Sequence, residues 1–391
     1  MVKRFGAASL ILLLLAGCFP ISPQENEQAI DEQTEETDEQ KVEVVPEVVT
    51  PDNYYQSVLY NGTYLHGESR GFGNSVVYNR LDLDQLEIGL TRIAQQYFNQ
   101  DRYFFREGQF IKRDELNNWL MRYDAELNPE GLNPALGEGN SMREREESKP
   151  RYLSHILEHN YLVKDQNGQL NLGGIVIGLS MNSVYHFRVE DEQGLYHFYE
   201  TPIPDATIEQ EGQRIAAEVV ARLRSQDREE GAFADIPIIV ALFREQPRES
   251  VIPGHFIAKS EAEARHDLGK WQRINERYFL FPSNEANQEV RTESDQFQRF
   301  KDDIQDFFDT FIGVVGKGRF EDNQIRELTI EIPLRYQGKA EIVALSQYVA
   351  NLLPQHFQSK YKISVTITSV SGNTESIIIQ NPNEKPFIHV Y

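Results

Sequence analysis

The spacing of apolar residues changes along the chain, and it predicts helices first and strands later. In residues 79–98 and 113–123, leucines and aromatics recur every three or four positions, which is typical of helices with one buried face. A shorter helix is predicted over 151–162. Residues 128–150 are rich in glycine, proline and charge, so we expect a long exposed loop there. The pattern therefore predicts a mostly helical N-terminal part over 54–165.

From residue 170 onward, short apolar runs favour strands, which are arranged twice around a single helix. In residues 170–260, we predict strands at 175–179, 184–187, 195–199, 236–243 and 256–258 around a helix at 209–224. In residues 270–391, we predict strands at 312–320, 325–336, 363–370 and 376–379 around a helix at 339–357. The fold class is therefore α+β, with two β-β-α-β-β units. Because the sequences of the two units are only slightly similar, duplication and convergence of pattern both explain this pseudo-repeat.

The chain begins with a segment that has the features of a secretory signal. Two basic residues precede an apolar run at 5–15, which is too short to span a bilayer that needs roughly 20 residues. The sequence Leu15-Ala16-Gly17-Cys18 resembles the lipobox of bacterial lipoproteins. This resemblance implies cleavage after Gly17 by signal peptidase II and attachment of a diacylglycerol to the Cys18 sulfur. The alternative is a cleavable signal followed by an unused thiol.

A lipid on Cys18 limits both the location and the chemistry of the protein. Each buried acyl methylene contributes about 0.8 kcal/mol, so two chains give stable anchoring. We therefore expect the membrane as a partner, with the protein on the outer face of the cytoplasmic membrane. Because Cys18 is the only cysteine, its modification leaves no thiol for a disulfide, a nucleophile or a metal site.

The negative charge of the chain is concentrated behind the lipobox. The formal net charge is −22, and residues 19–53 hold eleven acidic residues and one lysine. This segment contains one aromatic residue, so it cannot bury enough apolar surface to fold and is predicted to be a disordered tether over 18–53. A recognition role for the acidic tract is the alternative. The ordered body is predicted over 54–391, and its own negative charge excludes nucleic acid as a partner.

One motif in the sequence matches a known metal-binding pattern. His155, Glu158 and His159 match the H-x-x-E-H form of inverted zinc proteases. On a helix, the two imidazoles lie one turn apart and can share a metal, with Glu158 as general base. The alternative is an amphipathic helix whose two histidines face water. We favour the second interpretation and predict no metal ligand, catalytic residue or cofactor.

Other motifs match known sites less well. Ser180 lacks the second glycine of a G-x-S-x-G nucleophile turn, and the glycines of 313–318 have the wrong spacing for a phosphate loop. We expect those glycines to allow close packing instead. The glycine-rich turn at 67–73 is a candidate ligand loop. Clustered aromatics can line a binding cleft, but we favour core and edge packing for them; they are Trp271, Tyr278, Phe279 and Phe281-Pro282.

Several longer stretches together resemble one family. They are residues 152–158, 172–185, 252–258, 312–316 and 388–391. These stretches are similar to the CamS sex-pheromone-precursor lipoproteins of low-GC Gram-positive bacteria, from about Tyr54 to Tyr391. The resemblance implies an envelope lipoprotein whose α+β body has no established biochemical role.

The resemblance also implies a second product. In some members of the family, the excised signal peptide yields a short hydrophobic mating pheromone. The matching segment is 11–17, which differs from the family peptide because it has no aromatic near its start and has Gly17 where Ser or Ala stands.

The sequence thus favours a non-enzymatic, lipid-anchored surface protein whose body binds an unknown small molecule, peptide or envelope partner. An envelope hydrolase using His155, Glu158 and His159 is the main alternative. A protein that serves only as a peptide precursor is the third.

Overall fold

Two six-stranded sheets, each backed by helices, organise the part of the chain that the structure describes. The structure is a computed structural model, and it describes residues 42–45, 54–70, 80–307, 312–335, 338–358 and 360–391. These residues belong to one unit, Lys41–Tyr391. The signal segment, Cys18 and most of the acidic tether lie outside the described residues. The predicted α+β class is confirmed.

The described strands form four sheets. The small N-terminal sheet contains β1 (Val42–Val44), β2 (Val58–Tyr60) and β3 (Thr63–Tyr64). The first large sheet contains β4 (Tyr103–Glu107), β5 (Leu153–Lys164), β6 (Leu170–Met181), β9 (Ile238–Arg244), β10 (His255–Ala262) and β11 (Gln272–Arg273). A separate hairpin contains β7 (Val184–Glu190) and β8 (Tyr196–Pro202). The second large sheet contains β12 (Glu276–Phe281), β13 (Val315–Glu321), β14 (Gln324–Leu334), β15 (Lys362–Ser369), β16 (Thr374–Gln380) and β17 (Phe387–Val390).

The helices lie mainly against the two large sheets. They are α1 (Leu83–Ala94), α2 (Arg113–Leu120), α3 (Met142–Ser148), α4 (Asp205–Leu223), α5 (Asn284–Glu289), α6 (Arg291–Gln305) and α7 (Lys339–His356). None of the described helices is both long and apolar enough to cross a membrane.

The two large sheets have the same connectivity. The first has the order β11-β10-β9-β6-β5-β4, and the second has the order β12-β13-β14-β15-β16-β17. In each sheet the central pair is parallel, β6 with β9 and β14 with β15. Helix α7 alone joins β14 to β15, whereas the connection from β6 to β9 contains the hairpin β7–β8 as well as α4. The flanking pairs are antiparallel. The pseudo-repeat, through duplication or through convergence of pattern, stays a prediction.

Both faces of the first large sheet carry apolar side chains and are covered by helices. One face packs on α4, where Ile215 and Val219 share a core with Val240. The opposite face packs on α1, where Leu86 and Leu90 share a core with neighbouring strand residues. Strand β9 is therefore apolar at nearly every position, as expected of a strand covered on both sides. The second sheet has its own core with α6 and α7.

The predicted helix over 151–162 is wrong, because these residues form β5. Both faces of β5 are covered, so Leu153, Ile156 and Leu157 are all buried or half-buried although they do not share a face. Their spacing imitates the i, i+3, i+4 spacing of a helix. The N-terminal part therefore contains helices and long strands together, and the prediction that it is mostly helical is not confirmed.

Because residues 151–162 form β5, the first unit also has different strand pairs from those predicted. The antiparallel partner of β6 is β5, whereas β7 leaves the sheet and pairs with β8. The predicted loop at 128–150 contains α3, whose N-terminus is capped by Ser141 accepting a hydrogen bond from Glu144 N at 3.2 Å. Strand β12 and helix α6 are further elements that the pattern missed. The remaining predicted helices and the strands of the second unit are confirmed within a few residues.

Candidate ligand-binding pocket

A pocket of about 450 Å³ lies between α1 and the second large sheet, and we call it the α1 pocket. Helix α1 packs its apolar face on the first sheet and turns its polar side toward β13, β14 and the start of β15. The lining residues are Tyr54, Gln85, Ile88, Thr91, Arg92, Gln95, Arg319, Arg326, Glu327, Lys360, Tyr361, Lys362, Asn381 and Pro382. The α1 pocket is within the size range of small-molecule sites.

Close packing of α1 on the first sheet fixes the position of this polar side. A Cβ at Gly89 would overlap the Phe256 ring, and a Cβ at Gly178 would lie 2.8 Å from Leu90 Cδ1. Both glycines therefore let the helix approach the strands more closely than larger residues would allow. The helix is linked to the second sheet as well, since the Tyr278 hydroxyl donates to Gln85 Oε1 at 3.2 Å.

Positive charge distinguishes the α1 pocket from the rest of the protein. Its lining contains five cationic side chains and one carboxylate, in a chain whose formal net charge is −22. The cations are Arg92, Arg319, Arg326, Lys360 and Lys362. Guanidinium groups donate in a planar fork that matches phosphate and carboxylate oxygens. The lining therefore favours an anionic ligand.

The acidic partners of these arginines hold them loosely. Arg319 lies 3.7 Å from Glu321 and 3.8 Å from Glu327, and Arg92 lies 3.7 Å from Glu276. These separations exceed hydrogen-bond length. Within the described ranges, Arg92 Nη2 and Arg319 Nε are buried and make no hydrogen bond. Part of the hydrogen-bonding capacity of each guanidinium is therefore unused, and both residues line the α1 pocket.

A buried carboxylate lies behind the two arginines. Glu276 is 7% exposed, and burial raises the pKa of its carboxyl, while Arg92 and Arg319 act in the opposite direction. Glu276 thus balances part of the charge at the base of the α1 pocket. The outer cations Arg326 and Lys360 are exposed.

The H-x-x-E-H residues lie on one strand, where they cannot form the zinc site considered as an alternative. On β5, His155 and His159 are four residues apart, which is about 13 Å at strand rise. Glu158 points to the opposite face, because side chains alternate along a strand. Among the described residues, no three His, Cys, Asp or Glu side chains are arranged to hold a metal ion. The metal-hydrolase interpretation through these residues is wrong.

Glu158 instead holds a neighbouring backbone segment in place. Its buried carboxylate accepts hydrogen bonds from the backbone N–H groups of Phe110 and Ile111 at 3.1 and 2.8 Å, and from Asn160 Nδ2 at 2.6 Å. Burial raises the pKa of this carboxyl, and these bonds act in the opposite direction. The bonds fix the segment that joins β4 to α2.

The two histidines are buried, so the interpretation that they face water is also wrong. Burial lowers the pKa of His155 to about 4 and that of His159 to about 3. The His159 ring meets Phe105 edge-on at 4.9 Å, and its nitrogens make no hydrogen bond within the described part of the chain. Both side chains are therefore neutral parts of the core at pH 7.

Ser180 is buried rather than presented as a nucleophile. Its hydroxyl donates to Glu245 Oε1 at 2.5 Å, and the same carboxylate lies 3.3 to 3.4 Å from the backbone nitrogen of Asp82. Burial raises the pKa of Glu245 to about 8, and the neighbouring charge of Asp82 adds to this effect. These groups connect β6 and β9 to the start of α1.

The other candidate residues from the sequence lie in packed cores or in a hydrogen-bonded turn. Gly316 packs so closely on Phe297 that a Cβ would overlap the ring, which confirms close packing at 313–318. Phe279 and Phe281 belong to the second core, while Trp271 packs against the first. In the turn at 67–73, Gly67 N donates to Glu107 Oε2 at 2.5 Å, and residues 71–73 lie outside the described residues.

Sequence reasoning missed the α1 pocket because its cations are far apart in the chain. Arg92 lies on α1, Arg319 on β13 and Arg326 on β14. Lys360 lies just before β15, and Lys362 is its first residue. The available signal was the local excess of basic residues around Tyr361 in an acidic chain. This local excess predicts a pocket only when the strands and α1 are known to lie together.

Comparisons with known proteins agree on one family. The profile of the family described as "CamS sex pheromone cAM373 precursor" matches residues 64–386. A crystal structure of a sex pheromone precursor from Lactobacillus salivarius is 28% identical, with a TM-score of 0.80, and the match covers 90% of this chain and 99% of that one. The C-terminal domain of the sex pheromone staph-cAM373 precursor from Staphylococcus aureus is also 28% identical, with a TM-score of 0.67, covering 79% and 96%. No curated protein matches.

The buried histidines predict a specific loss of stability in acid. Because the pKa of His159 is lowered on folding, the unfolded chain binds its proton first, and stability falls as the pH drops below about 6.5 toward 3. Each such histidine costs about 1.4 kcal/mol of unfolding free energy per pH unit in this range. We expect His159→Leu to flatten the pH dependence between 6.5 and 4.5, measured by urea unfolding. The exposed control His266→Gln should keep the wild-type slope, and an unchanged slope in His159→Leu would contradict the assignment.

Proposed function

Because the chain belongs to the CamS sex-pheromone-precursor family, we propose that it is a lipid-anchored surface protein whose body binds an anionic ligand without catalysis. The lipid on Cys18 holds the protein on the outer face of the cytoplasmic membrane. The acidic residues between Cys18 and β1 separate the body from the lipid. This part of the proposal is supported by the lipobox-like sequence Leu15-Ala16-Gly17-Cys18.

The ligand-binding part of the proposal depends on one observation. Five cationic side chains line the α1 pocket of a strongly acidic protein. Elsewhere the acidic surface repels anions, so an anion that approaches this pocket gains attraction only locally. Phosphate or carboxylate groups are the chemistry that the arginine forks recognise.

Binding suits the lining of the pocket better than catalysis does. Hydrolysis by a side-chain nucleophile needs that group beside a base. The lining residues include no serine, cysteine, histidine or aspartate. Thr91 is the one aliphatic hydroxyl, and its Oγ1 donates to the carbonyl of Glu87 at 3.2 Å within α1. The pocket thus offers charge and hydrogen-bond donors for recognition.

A second product of the same chain is a peptide. We propose that the excised signal peptide is processed to the hydrophobic segment Ile11–Gly17, which acts as a signal to other cells. The description of the family as a pheromone precursor favours this function. It is compatible with ligand binding, because cleavage after Gly17 separates the peptide from the body.

The lining of the α1 pocket predicts which arginine substitutions weaken anion binding. We expect the body to bind inorganic pyrophosphate, measured by isothermal titration calorimetry, and Arg319→Gln to weaken binding about tenfold or more through loss of charge-assisted hydrogen bonds. Arg326→Gln, at an exposed position, should weaken binding without affecting the fold. Arg248→Gln removes the same charge from an exposed position outside the pocket and should bind like wild type. Equal affinity in all four proteins, or no binding by wild type at millimolar concentration, would refute the proposed site.

The lipid anchor has its own test. Cys18→Ser removes the acceptor sulfur, so we expect no incorporation of a labelled fatty acid and either an unprocessed chain or a soluble one. Cell fractionation and gel mobility measure both outcomes. Ser22→Ala, four residues downstream, should be lipidated and membrane-bound like wild type. Normal labelling and processing of Cys18→Ser would show that the anchor is not there.

The peptide product is tested with synthetic Ile11–Gly17. Recipient cells should respond to it at low concentration, measured as increased transfer of a conjugative plasmid. A scrambled peptide of the same composition should be inactive, because recognition depends on the order of side chains. If both peptides leave transfer unchanged, the pheromone function fails for this protein.

A further inference from the structure

A second, shallower cavity of about 540 Å³ adjoins the α1 pocket, and we call it the α7 cavity. It lies at the C-terminal end of α7 and is open to solvent. Its polar lining includes Gln296, Gln355, His356, Gln358, Lys360 and Asn383.

The two cavities lie side by side. Lys360 lines both of them. The turn between β16 and β17 contributes Asn381 and Pro382 to the α1 pocket and Asn383 to the α7 cavity. A ligand that reaches from one cavity to the other therefore passes over the Lys360 ammonium group.

The chemistry changes from one cavity to the other. Five cations and three amides line the α1 pocket, whereas four of the eight residues lining the α7 cavity carry neutral amides and Lys360 is its one lysine or arginine. An amide both donates and accepts hydrogen bonds, so it pairs well with hydroxyl groups, which do the same. His356 is less available to a ligand, because its Nε2 lies 2.6 Å from Asp303 Oδ2.

We propose that the two cavities are one groove for an anionic carbohydrate-like polymer, in which phosphate or carboxylate groups alternate with hydroxyl-bearing units. An anionic group binds in the α1 pocket, and the adjacent hydroxyl-bearing unit binds on the amides of the α7 cavity. The open shape of the α7 cavity suits a segment of a longer chain better than a small ligand, which would be mostly enclosed. This inference rests on the proposed anion binding by the α1 pocket.

Four probes distinguish this ligand from simpler ones. Inorganic pyrophosphate supplies charge alone. A six-unit oligomer of glycerol phosphate supplies charge and hydroxyl-bearing units, and oligogalacturonate does so with carboxylates. Polyglutamate of matched charge supplies an acidic chain without hydroxyls. We expect the glycerol phosphate oligomer, or oligogalacturonate, to bind wild type at least about tenfold tighter than pyrophosphate, and polyglutamate to show no such gain.

Substitutions test whether the amides of the α7 cavity cause the tighter binding of the hydroxylated oligomers. The triple variant Gln296→Ala, Gln355→Ala and Asn383→Ala should lose most of the tenfold gain and keep the wild-type affinity for pyrophosphate. The control Gln298→Ala removes an exposed amide of α6 outside both cavities and should keep both affinities. Thermal melting of each variant verifies that the fold is intact.

The possible failures are distinguishable. If pyrophosphate does not bind, the proposed anion site itself fails, and this inference fails with it. If pyrophosphate binds but neither hydroxylated oligomer binds more tightly, the α1 pocket stands and the extended groove is refuted. Polyglutamate binding as tightly as the oligomers would show that the groove recognises an acidic peptide, and retention of the gain by the triple variant would place the second contact elsewhere.

Discussion

The close packing of α1 on the first large sheet is the contact on which the rest of the structure depends. Gly89 and Gly178 remove the side chains that would separate helix and strands, so Leu86 and Leu90 lie directly on the sheet. This arrangement exposes the opposite side of α1 to the second sheet, where Arg92 joins the cations of another part of the chain. A helix held further away would leave the two halves of the binding surface unconnected.

Buried polar groups also join the first sheet to the segments that pack against its two faces. Ser180 and Glu245 connect the strands to the backbone at the start of α1, and Glu158 holds the segment before α2 by accepting several backbone hydrogen bonds. Buried carboxylates of this kind are tolerated only when their hydrogen bonds are made. Functions in catalysis or metal binding are therefore not needed to explain why these polar residues are in the core, although the sequence made them the first candidates.

The sequence predicted elements well where one face of a helix or strand is exposed. The helices around Leu90 and Val219 show a clear helical period, because their outer faces are polar. The prediction failed at β5, since both faces of this strand are covered and its apolar residues follow no period of two. The candidate site was beyond such reasoning, because Arg92 and Lys362 are separated by most of the chain and meet only through the sheets.

The sequence by itself determined the α+β class, the family and the features that favour an anchor at Cys18, because these depend on local patterns and on contiguous matching stretches. Tertiary structure alone decided what the polar residues do. It buried His155 and His159 about 13 Å apart on a strand, which removed the metal site, and it gathered scattered cations into the α1 pocket. The physical reason is that charge and metal sites depend on distances of a few ångströms, which the order of residues does not contain.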